Sequence, residues 1–239
     1  MDWKASLKKF LPQQLHHLYN RLVSRRIIKR RLGSWFDPEW KQRSQRATES
    51  EWARTYDRSW LEWTMTDLTH LDLENIAAAI PPNALLADIG CGDGLLLSRI
   101  ASTARFAVGC DISRAGLLRA RQRLGQRFPL VQCNMERLPF RPGCLDAVVC
   151  AHTLEHCRDL NAATGELKRV GRRLVVLVPV QEYLPYTEDY HLQFFCNESD
   201  LRDAFALPQA VIHRYQIPAG EAAFSGEVLM LVADTVKAV

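Results

Sequence analysis

A glycine-rich segment at residues 88–94, with the sequence DIGCGDG, has the residue types and spacing that most clearly indicate chemistry. It follows a short apolar run, which predicts a buried strand, and it precedes a stretch of helical character. Glycines let the backbone adopt positive φ angles and let another molecule approach closely, as in nucleotide-binding turns at the carboxyl edge of parallel sheets. The segment therefore predicts either a binding loop for a nucleotide-like molecule or a tight turn without a ligand.

The spacing of the glycines argues against a dinucleotide cofactor. A dinucleotide loop follows the pattern G-x-G-x-x-G/A, which would require a small residue at position 95, where this chain has Leu95. The glycines run G-x-G-x-G instead, and Asp88 lies two positions before the first of them. Carboxylates near the loop would repel a pyrophosphate but attract a ligand that carries a sulfonium and an amino group. We therefore disfavour a nicotinamide-dependent oxidoreductase.

This loop resembles the first motif of class I S-adenosylmethionine-dependent methyltransferases, in which an acidic residue precedes glycines spaced G-x-G-x-G. Three further segments follow in the order typical of that family, so the resemblance covers residues 84 to 160, roughly. It is closest to the small-molecule, methyltransferase type 11-like group. The resemblance implies an enzyme that uses S-adenosyl-L-methionine as its cofactor. The loop residues that it assigns to cofactor binding are Asp88, Gly90, Cys91, Gly92 and Gly94.

The second and third segments correspond to the family's nucleoside-binding positions. The resemblance implies that Asp111 accepts hydrogen bonds from the ribose hydroxyls and that Ile112 packs on the adenine. Asp111 and Ser113, at a strand-to-helix junction, also fit a simple helix cap. In the third segment, CNMERLPF, Asn134 takes the usual acidic position, and its amide oxygen can accept a hydrogen bond from the adenine amino group. Met135 is expected to act through its backbone.

The fourth segment, LDAVVCAHTLEH at residues 145–156, is similar to the family stretch that ends in L-E-H. Its apolar part predicts a buried strand, and the resemblance implies that Ala151 and His152 lie beside the methionine part of the cofactor. Upstream, Tyr56 belongs to a sequence similar to the A-x-x-Y-D helix that covers the cofactor in relatives. We expect Tyr56 to bind the methionine carboxylate or to shield the sulfonium with its ring.

Three histidines are candidates for a general base. Methyl transfer from a sulfonium is an in-line displacement, so the protein must place the acceptor atom behind the methyl group and exclude water. A base is needed only when the acceptor still carries its proton. We expect His156, then His191, then His152 in this role. Each also fits a structural role, as a packed, capping or hydrogen-bonded histidine.

The composition indicates a folded protein, since 239 residues with 47% hydrophobic content can bury one substantial core. The seven cysteines form neither a C-x-x-C pair nor a Cys/His cluster with ligand spacing, which predicts reduced thiols and no metal site. No apolar run is long enough to span a bilayer, and the first residues lack the apolar core of a signal peptide. We therefore expect a cytoplasmic location.

The first 60 residues are basic, with 14 Lys or Arg against 6 Asp or Glu, whereas the remainder is net acidic. Apolar spacing before the run RRIIKRR predicts a basic amphipathic helix within residues 15–31. Such a helix suits packing on a catalytic domain, which we favour, but also peripheral contact with an anionic membrane or binding of nucleic acid. An RNA methyltransferase and a non-catalytic cofactor-binding scaffold are the alternatives to a small-molecule enzyme.

Strand and helix signals alternate from about residue 84, which predicts an α/β fold with a doubly wound, mostly parallel sheet. The resemblance implies seven strands, the last of them antiparallel. We expect a helical N-terminal extension over residues 1–60, a further helical region over residues 60–80, and a catalytic domain over residues 61–239. Within it, an aromatic insert at residues 179–200, including Phe195, is expected to form a lid over the acceptor. Aromatic lining suits a small-molecule or lipid-like acceptor.

Overall fold

A computed structural model describes residues 43–44, 46–62, 68–100, 104–182, 190–217 and 226–235. The basic segment at residues 15–31 and the centre of the aromatic insert lie outside the described residues. The chain divides into two compact units, one formed by residues 1–43 and 184–190 and the other by residues 44–183 and 191–239. Arg43 and Tyr190 are the described residues of the first unit, and all elements below belong to the second.

The second unit is built on a seven-stranded sheet with the strand order β3-β2-β1-β4-β5-β7-β6. Strands β1 to β5 pair in parallel, and β7 pairs antiparallel with both β5 and β6. The predicted doubly wound, mostly parallel fold is thus confirmed. The strands are β1 (Leu85–Ile89), β2 (Phe106–Asp111), β3 (Leu130–Gln132), β4 (Leu145–Ala151), β5 (Gly171–Pro179), β6 (Val211–Gln216) and β7 (Glu227–Asp234).

The described helices of this unit connect and flank the strands. They are α1 (Glu49–Glu62), α2 (His70–Ala79), α3 (Leu95–Ile100), α4 (Arg114–Leu124), α5 (Leu160–Val170) and α6 (Glu198–Phe205), with a 3-10 turn at Leu154–His156. The predicted helical region over residues 60–80 contains a new helix start at Thr69. The Thr69 hydroxyl accepts a hydrogen bond from the backbone N–H of Asp72, whose carboxylate accepts one from the Thr69 N–H. This capping box begins α2 independently of α1.

Apolar strands bury both faces of the sheet and fix its centre at β1, β4 and β5. Residues 147–150 of β4 and 174–178 of β5 are fully buried, as expected for parallel strands covered by helices on both sides. Phe195 also belongs to this core, with 2% of its surface exposed, so its side chain is a core residue and not part of a lid. Strand order reverses between β1 and β4, and a crevice forms where their carboxyl ends diverge.

Candidate active site

A cleft of about 480 Å³, including its open side, lies at the carboxyl ends of β1 and β4. Three groups form its walls: the glycine loop after β1, the end of β4, and side chains from α1, α3 and the residue before the α2 cap. Of the residues predicted from the sequence, those that line it are Asp88, Gly90, Cys91, Gly92, Ala151 and His152. The sequence interpretation missed Trp60, Leu68, Asp93, Leu95 and Leu96, which also line it.

The other predicted cofactor residues lie outside the lining of this cleft. Gly94 turns the loop into α3 at φ +77°, and its Cα faces Leu124 of α4. Asp111 ends β2 and Ile112 follows it, whereas Asn134 and Met135 follow β3, so that both pairs lie along the same carboxyl edge of the sheet. Their predicted roles toward a nucleoside stay predictions.

Four backbone amides of the glycine loop, those of Gly90, Cys91, Gly92 and Gly94, already donate to acceptors of the protein. The N–H groups of Gly90 and Cys91 donate to the Cys110 carbonyl at 2.7 and 2.9 Å. The Gly92 N–H donates to Asp111 Oδ2 at 2.8 Å, and the Gly94 N–H donates to the Cys91 carbonyl at the same distance. A phosphate-binding loop needs its N–H groups for the ligand. These four amides are therefore not available to a pyrophosphate, which agrees with the spacing argument against a dinucleotide.

Asp88 is a buried carboxylate without a compensating partner. Its side chain is 2% exposed, and among the described residues no donor lies within hydrogen-bond distance of Oδ2. Burial, followed by the nearby carboxylates of Asp111 and Asp93, raises the pKa of Asp88 to about 8. A buried charge of this kind is costly unless it is paired. A cationic ligand in the cleft would supply the missing partner.

The two neighbouring carboxylates have partners within the protein. Asp93 forms an ion pair with Arg123 of α4, which also donates to the Asp93 carbonyl at 3.1 Å. Asp111 accepts hydrogen bonds from the N–H groups of Gly92 and Ser113 at 2.8 and 2.7 Å. Burial raises the pKa of Asp111 to about 6, although these two hydrogen bonds oppose the shift. The two roles predicted for Asp111, at a helix cap and as an acceptor for ribose hydroxyls, thus remain compatible. The carboxylate accepts bonds from the strand-to-helix junction and still has lone pairs for other donors.

Helix α1 covers the loop through Trp60. The indole lies so close to Gly92 and Gly116 that a Cβ on either glycine would approach it to 2.3 and 3.1 Å. Gly92 also has φ +49°, a backbone conformation that disfavours any side chain. Trp60 lies one helical turn after Tyr56, so helix spacing was the signal that would have placed it on the same face.

Asp57 fastens α1 to the start of α4. Its Oδ1 accepts hydrogen bonds from the Ser113 hydroxyl at 2.7 Å and from the Ala115 N–H at 2.9 Å. Charge-assisted bonds of this kind contribute about 1.5–3 kcal/mol.

We expect Asp57→Ala to lower the melting temperature by several degrees and to weaken S-adenosylmethionine binding, because Trp60 would no longer be held against the loop. Calorimetric melting and titration measure both effects. Arg54→Ala, on the exposed side of the same helix, is the control and should change neither.

The segment after β3 is held by hydrogen bonds within the protein. Asn134 Oδ1 accepts from the Glu136 N–H at 3.0 Å, which leaves its second lone pair for another donor. Glu136 accepts from the backbone N–H groups of Arg158 and Asp159 at 2.7 and 3.0 Å. This carboxylate therefore joins the segment after β3 to the start of α5, a role that nothing in its local sequence signalled.

Two of the predicted base candidates meet beside the end of β4. The rings of His156 and His191 lie 4.8 Å apart at an angle of 69°, and Tyr56 approaches His156 edge-on at 5.6 Å. Glu155, which is 1% exposed, offers a carboxylate oxygen within 4.8 Å of a ring nitrogen of each of these histidines. The fold thus unites Tyr56, Glu155, His156 and His191.

His152, the third candidate, lies between two buried carboxylates. Its Nε2 is 3.7 Å from Asp72 Oδ2, and its Nδ1 is 3.9 Å from Glu155 Oε1. Asp72 Oδ1 also accepts a hydrogen bond from the Tyr215 hydroxyl at 2.6 Å. Burial raises the pKa of Asp72, but the nearby His152 ring and the hydrogen bonds from Tyr215 and Thr69 outweigh it and lower that pKa overall. His152 therefore connects the cofactor cleft with the Glu155 side of the site.

Comparisons with known proteins agree with this geometry. A family profile described as a methyltransferase domain matches residues 87–178, the span from β1 to β5. A malonyl-[acyl-carrier protein] O-methyltransferase of Legionella pneumophila is 36% identical over 95 residues, which are 38% of this chain and 33% of that protein. A ubiquinone/menaquinone biosynthesis C-methyltransferase of Xanthomonas campestris is 31% identical over 134 residues, or 49% of this chain and 50% of that protein.

A solved structure shares the fold. Magnesium protoporphyrin IX methyltransferase from Synechocystis, with bound S-adenosylmethionine, superposes with a TM-score of 0.51 at 19% identity, over 68% of this chain and 78% of that one. Sequence and fold thus both show that residues 87–178 are similar to a methyltransferase domain. The chain spans half or less of the length of the curated relatives it matches, and the names of further relatives include tRNA and rRNA methyltransferases.

Among the described residues, no helix combines the length and the apolar character needed to cross a membrane.

Proposed function

We propose that this chain transfers the methyl group of S-adenosyl-L-methionine to a small-molecule or lipid-like acceptor. The observation that carries the proposal is the buried carboxylate of Asp88 at the wall of the cleft, since no donor among the described residues lies within hydrogen-bond distance of its Oδ2. Four amides of the adjacent loop are already bonded within the protein. This combination suits a cation with a nucleoside attached and disfavours a phosphate.

The residues present fit the cofactor at each end of the site. Asp88 would compensate the positive charge of the methionine part, and Gly90 and Gly92 would let it approach the backbone. Asp111 would accept hydrogen bonds from the ribose hydroxyls with its remaining lone pairs. Asn134 Oδ1 and the backbone of Met135 would bind the adenine, with Ile112 against its face. Ala151 and His152 would lie beside the methionine part.

The cofactor supplies a methyl group that is already activated by a positive sulfur, so the chain has to orient the acceptor and manage its proton. The group of Tyr56, Glu155, His156 and His191 offers both an aromatic wall and polar atoms for this purpose. We assign the acceptor to this side of the cleft, next to His152. Trp60 and Leu68 exclude water on the other side.

Two observations favour a small or lipid-like acceptor over RNA. Relatives with 36% and 31% identity are named for an acyl-carrier-bound malonyl group and for ubiquinone/menaquinone biosynthesis, whereas a tRNA methyltransferase matches at 30%. The described residues on the acceptor side are rings and one buried carboxylate, whereas RNA binding needs clustered Lys or Arg that contact phosphates. An RNA acceptor predicts activity that falls steeply with added salt, whereas a small acceptor predicts a weak salt dependence.

The proposal is tested by transfer of a radiolabelled methyl group from S-adenosylmethionine to a panel of hydroxy acids, quinols, acyl thioesters and RNA. We expect label in an organic-soluble product from one of the non-RNA classes. We expect His156→Ala to lower kcat by about 100-fold or more, since assistance to proton removal is typically worth that much, while cofactor affinity stays unchanged. His213→Ala, on the exposed face of β6, is the control. Transfer to RNA alone would contradict the proposed acceptor class.

A further inference from the structure

Three side chains next to the cleft form a cluster whose atom types are those that ligate metal ions. Glu155, His156 and His191 each offer one ligand atom, and these atoms all lie within 4.8 Å of one another. Two imidazoles and one carboxylate are a donor set typical of divalent transition-metal ions. Metal–ligand distances of about 2.0–2.2 Å would require each atom to move inward by less than about 1 Å, which side-chain rotation can supply.

Backbone hydrogen bonds hold these ligands on one rigid scaffold. The N–H groups of Leu192 and Gln193 both donate to the Glu155 carbonyl, at 2.8 and 2.9 Å. The Gln193 side chain donates from Nε2 to the Cys157 carbonyl at 2.9 Å. The segment that carries His191 is therefore fastened to the 3-10 turn that carries Glu155 and His156. Preorganisation of this kind is what a binding site for an ion requires.

The ligands also have the outer partners that orient metal-binding side chains. His191 Nδ1 bonds to Gln181 Oε1. An amide oxygen accepts hydrogen bonds, so Nδ1 carries the hydrogen and Nε2 carries the lone pair. Glu155 Oε1 lies 3.9 Å from His152 Nδ1, and Asp72 Oδ2 lies 3.7 Å from Nε2 of the same ring. An outer hydrogen bond like the one between His191 and Gln181 fixes the tautomer and direction of a metal ligand.

We infer that Glu155, His156 and His191 bind a divalent cation of the manganese, iron or zinc type on the acceptor side of the cleft. Sequence spacing predicted no metal site, because His191 reaches the other two ligands only through the fold. With three protein ligands, the cation keeps open positions for an oxygen of the acceptor. This inference rests on the proposed function. It restricts the acceptor to compounds with a hydroxyl or carboxyl oxygen that can coordinate a metal.

The cation would then promote loss of the acceptor's proton, which otherwise requires a general base. Coordination lowers the pKa of a bound hydroxyl, so that its proton is released to solvent before attack. The acceptor oxygen forms its bond to the methyl carbon while the carbon–sulfur bond breaks, and that electron pair remains on sulfur as a neutral thioether. His156 and His191 act as ligands in this step rather than as proton acceptors.

The test uses the tag-free full chain after treatment with a chelator. Mn²⁺ and Zn²⁺ are titrated separately, Mn²⁺ by electron paramagnetic resonance and Zn²⁺ by calorimetry, with S-adenosylhomocysteine binding measured in parallel. We expect one equivalent of either ion to bind, with nitrogen couplings from two histidines on Mn²⁺. We expect His191→Ala and Glu155→Gln each to weaken ion binding by at least about 10-fold. His70→Ala removes an exposed histidine that pairs with Glu74, and it should change nothing.

Failure of this inference is separable from failure of the proposed function. Weak binding of both ions by the wild type, at or above about 1 mM, would overturn the metal site even if S-adenosylhomocysteine binds normally. Unchanged ion binding by both His191→Ala and Glu155→Gln would overturn it as well. Since His191 is only half-buried, its variant is expected to fold, which a melting curve checks. Ion binding without any nucleoside binding would instead contradict the proposed methyltransferase.

Discussion

Asp88→Asn is expected to stabilise the cofactor-free chain at about pH 8 while it weakens S-adenosylmethionine binding by roughly 30-fold to 100-fold. The two effects have one cause. The buried carboxylate destabilises the cofactor-free chain, since no donor among the described residues lies within hydrogen-bond distance of its Oδ2. In the proposed function, the same carboxylate is the partner of the cationic cofactor. An amide of the same shape removes the cost of burial and the attraction together.

The pH dependence of this effect has a definite sign. The ordinary pKa of the Asp88 carboxyl is 3.8, and in the folded chain it is about 8. Between these values the folded state holds a proton that the unfolded state has lost, so folding stability falls as the pH rises from about 4 to 8. The melting temperature of the wild type minus that of Asp88→Asn should therefore decrease through this window and level off above it. The cofactor affinity of the wild type relative to that of Asp88→Asn should increase with pH toward 8, because the carboxyl must release its proton before it can attract the cation.

Asp146→Asn is the matched control, since Asp146 lies at the opposite end of β4 and accepts a hydrogen bond from the Leu85 N–H at 2.9 Å. Its loss should lower stability and leave cofactor affinity intact, the reverse of the Asp88 pattern. Calorimetric melting from about pH 5 to 9 and titration calorimetry measure these quantities. A destabilised Asp88→Asn that binds the cofactor like the wild type would contradict our assignment of Asp88.

Gly90→Ala is expected to lower the melting temperature by about 5–15 °C and to abolish detectable cofactor binding. Gly90 has φ +80°, where an L-residue is strained, and a Cβ there would lie 2.1 Å from Cγ2 and 2.3 Å from Oγ1 of Thr153. Strain and overpacking each cost about 1–3 kcal/mol. Thr153 cannot yield freely, because its hydroxyl donates to the Ala151 carbonyl at the end of β4. The substitution therefore displaces both walls of the cleft at once.

Gly143→Ala separates backbone strain from steric overlap. Gly143 has φ +60°, but a Cβ there would meet no atom within 4 Å. This variant should lose only about 1 kcal/mol, a few degrees of melting temperature, and should keep its cofactor affinity. Equal effects of the two substitutions on binding would show that the contact with Thr153 is not what requires glycine at position 90.

The fold was largely predictable because its signals are local. Each parallel strand is a short apolar run, and the starts of α4 and α6 follow capping residues, Ser113 and Asn197, whose side chains accept the expected backbone hydrogen bonds. The break between α1 and α2 was also readable, since Thr69 and Asp72 have the spacing of a capping box.

The glycine loop and the end of β4 were predictable as binding elements, but their electrostatics were not. Nothing in the residues of the loop indicates that its amides donate to Cys110 and Asp111, since those bonds depend on the register of β1 against β2. The contacts of His152 with Asp72 and of His191 with Glu155 likewise arise from tertiary packing. Chemistry that is shared between distant segments needs the fold before it can be inferred.

The most direct test of the central claim is calorimetric titration of the tag-free chain with S-adenosyl-L-methionine at about pH 8. We expect saturable binding with one molecule per chain, and a rise in melting temperature that grows with ligand concentration. Both effects should be nearly lost in Asp88→Asn. If neither heat nor a thermal shift appears up to about 1 mM ligand, the cleft beside Asp88 is not a site for this cofactor.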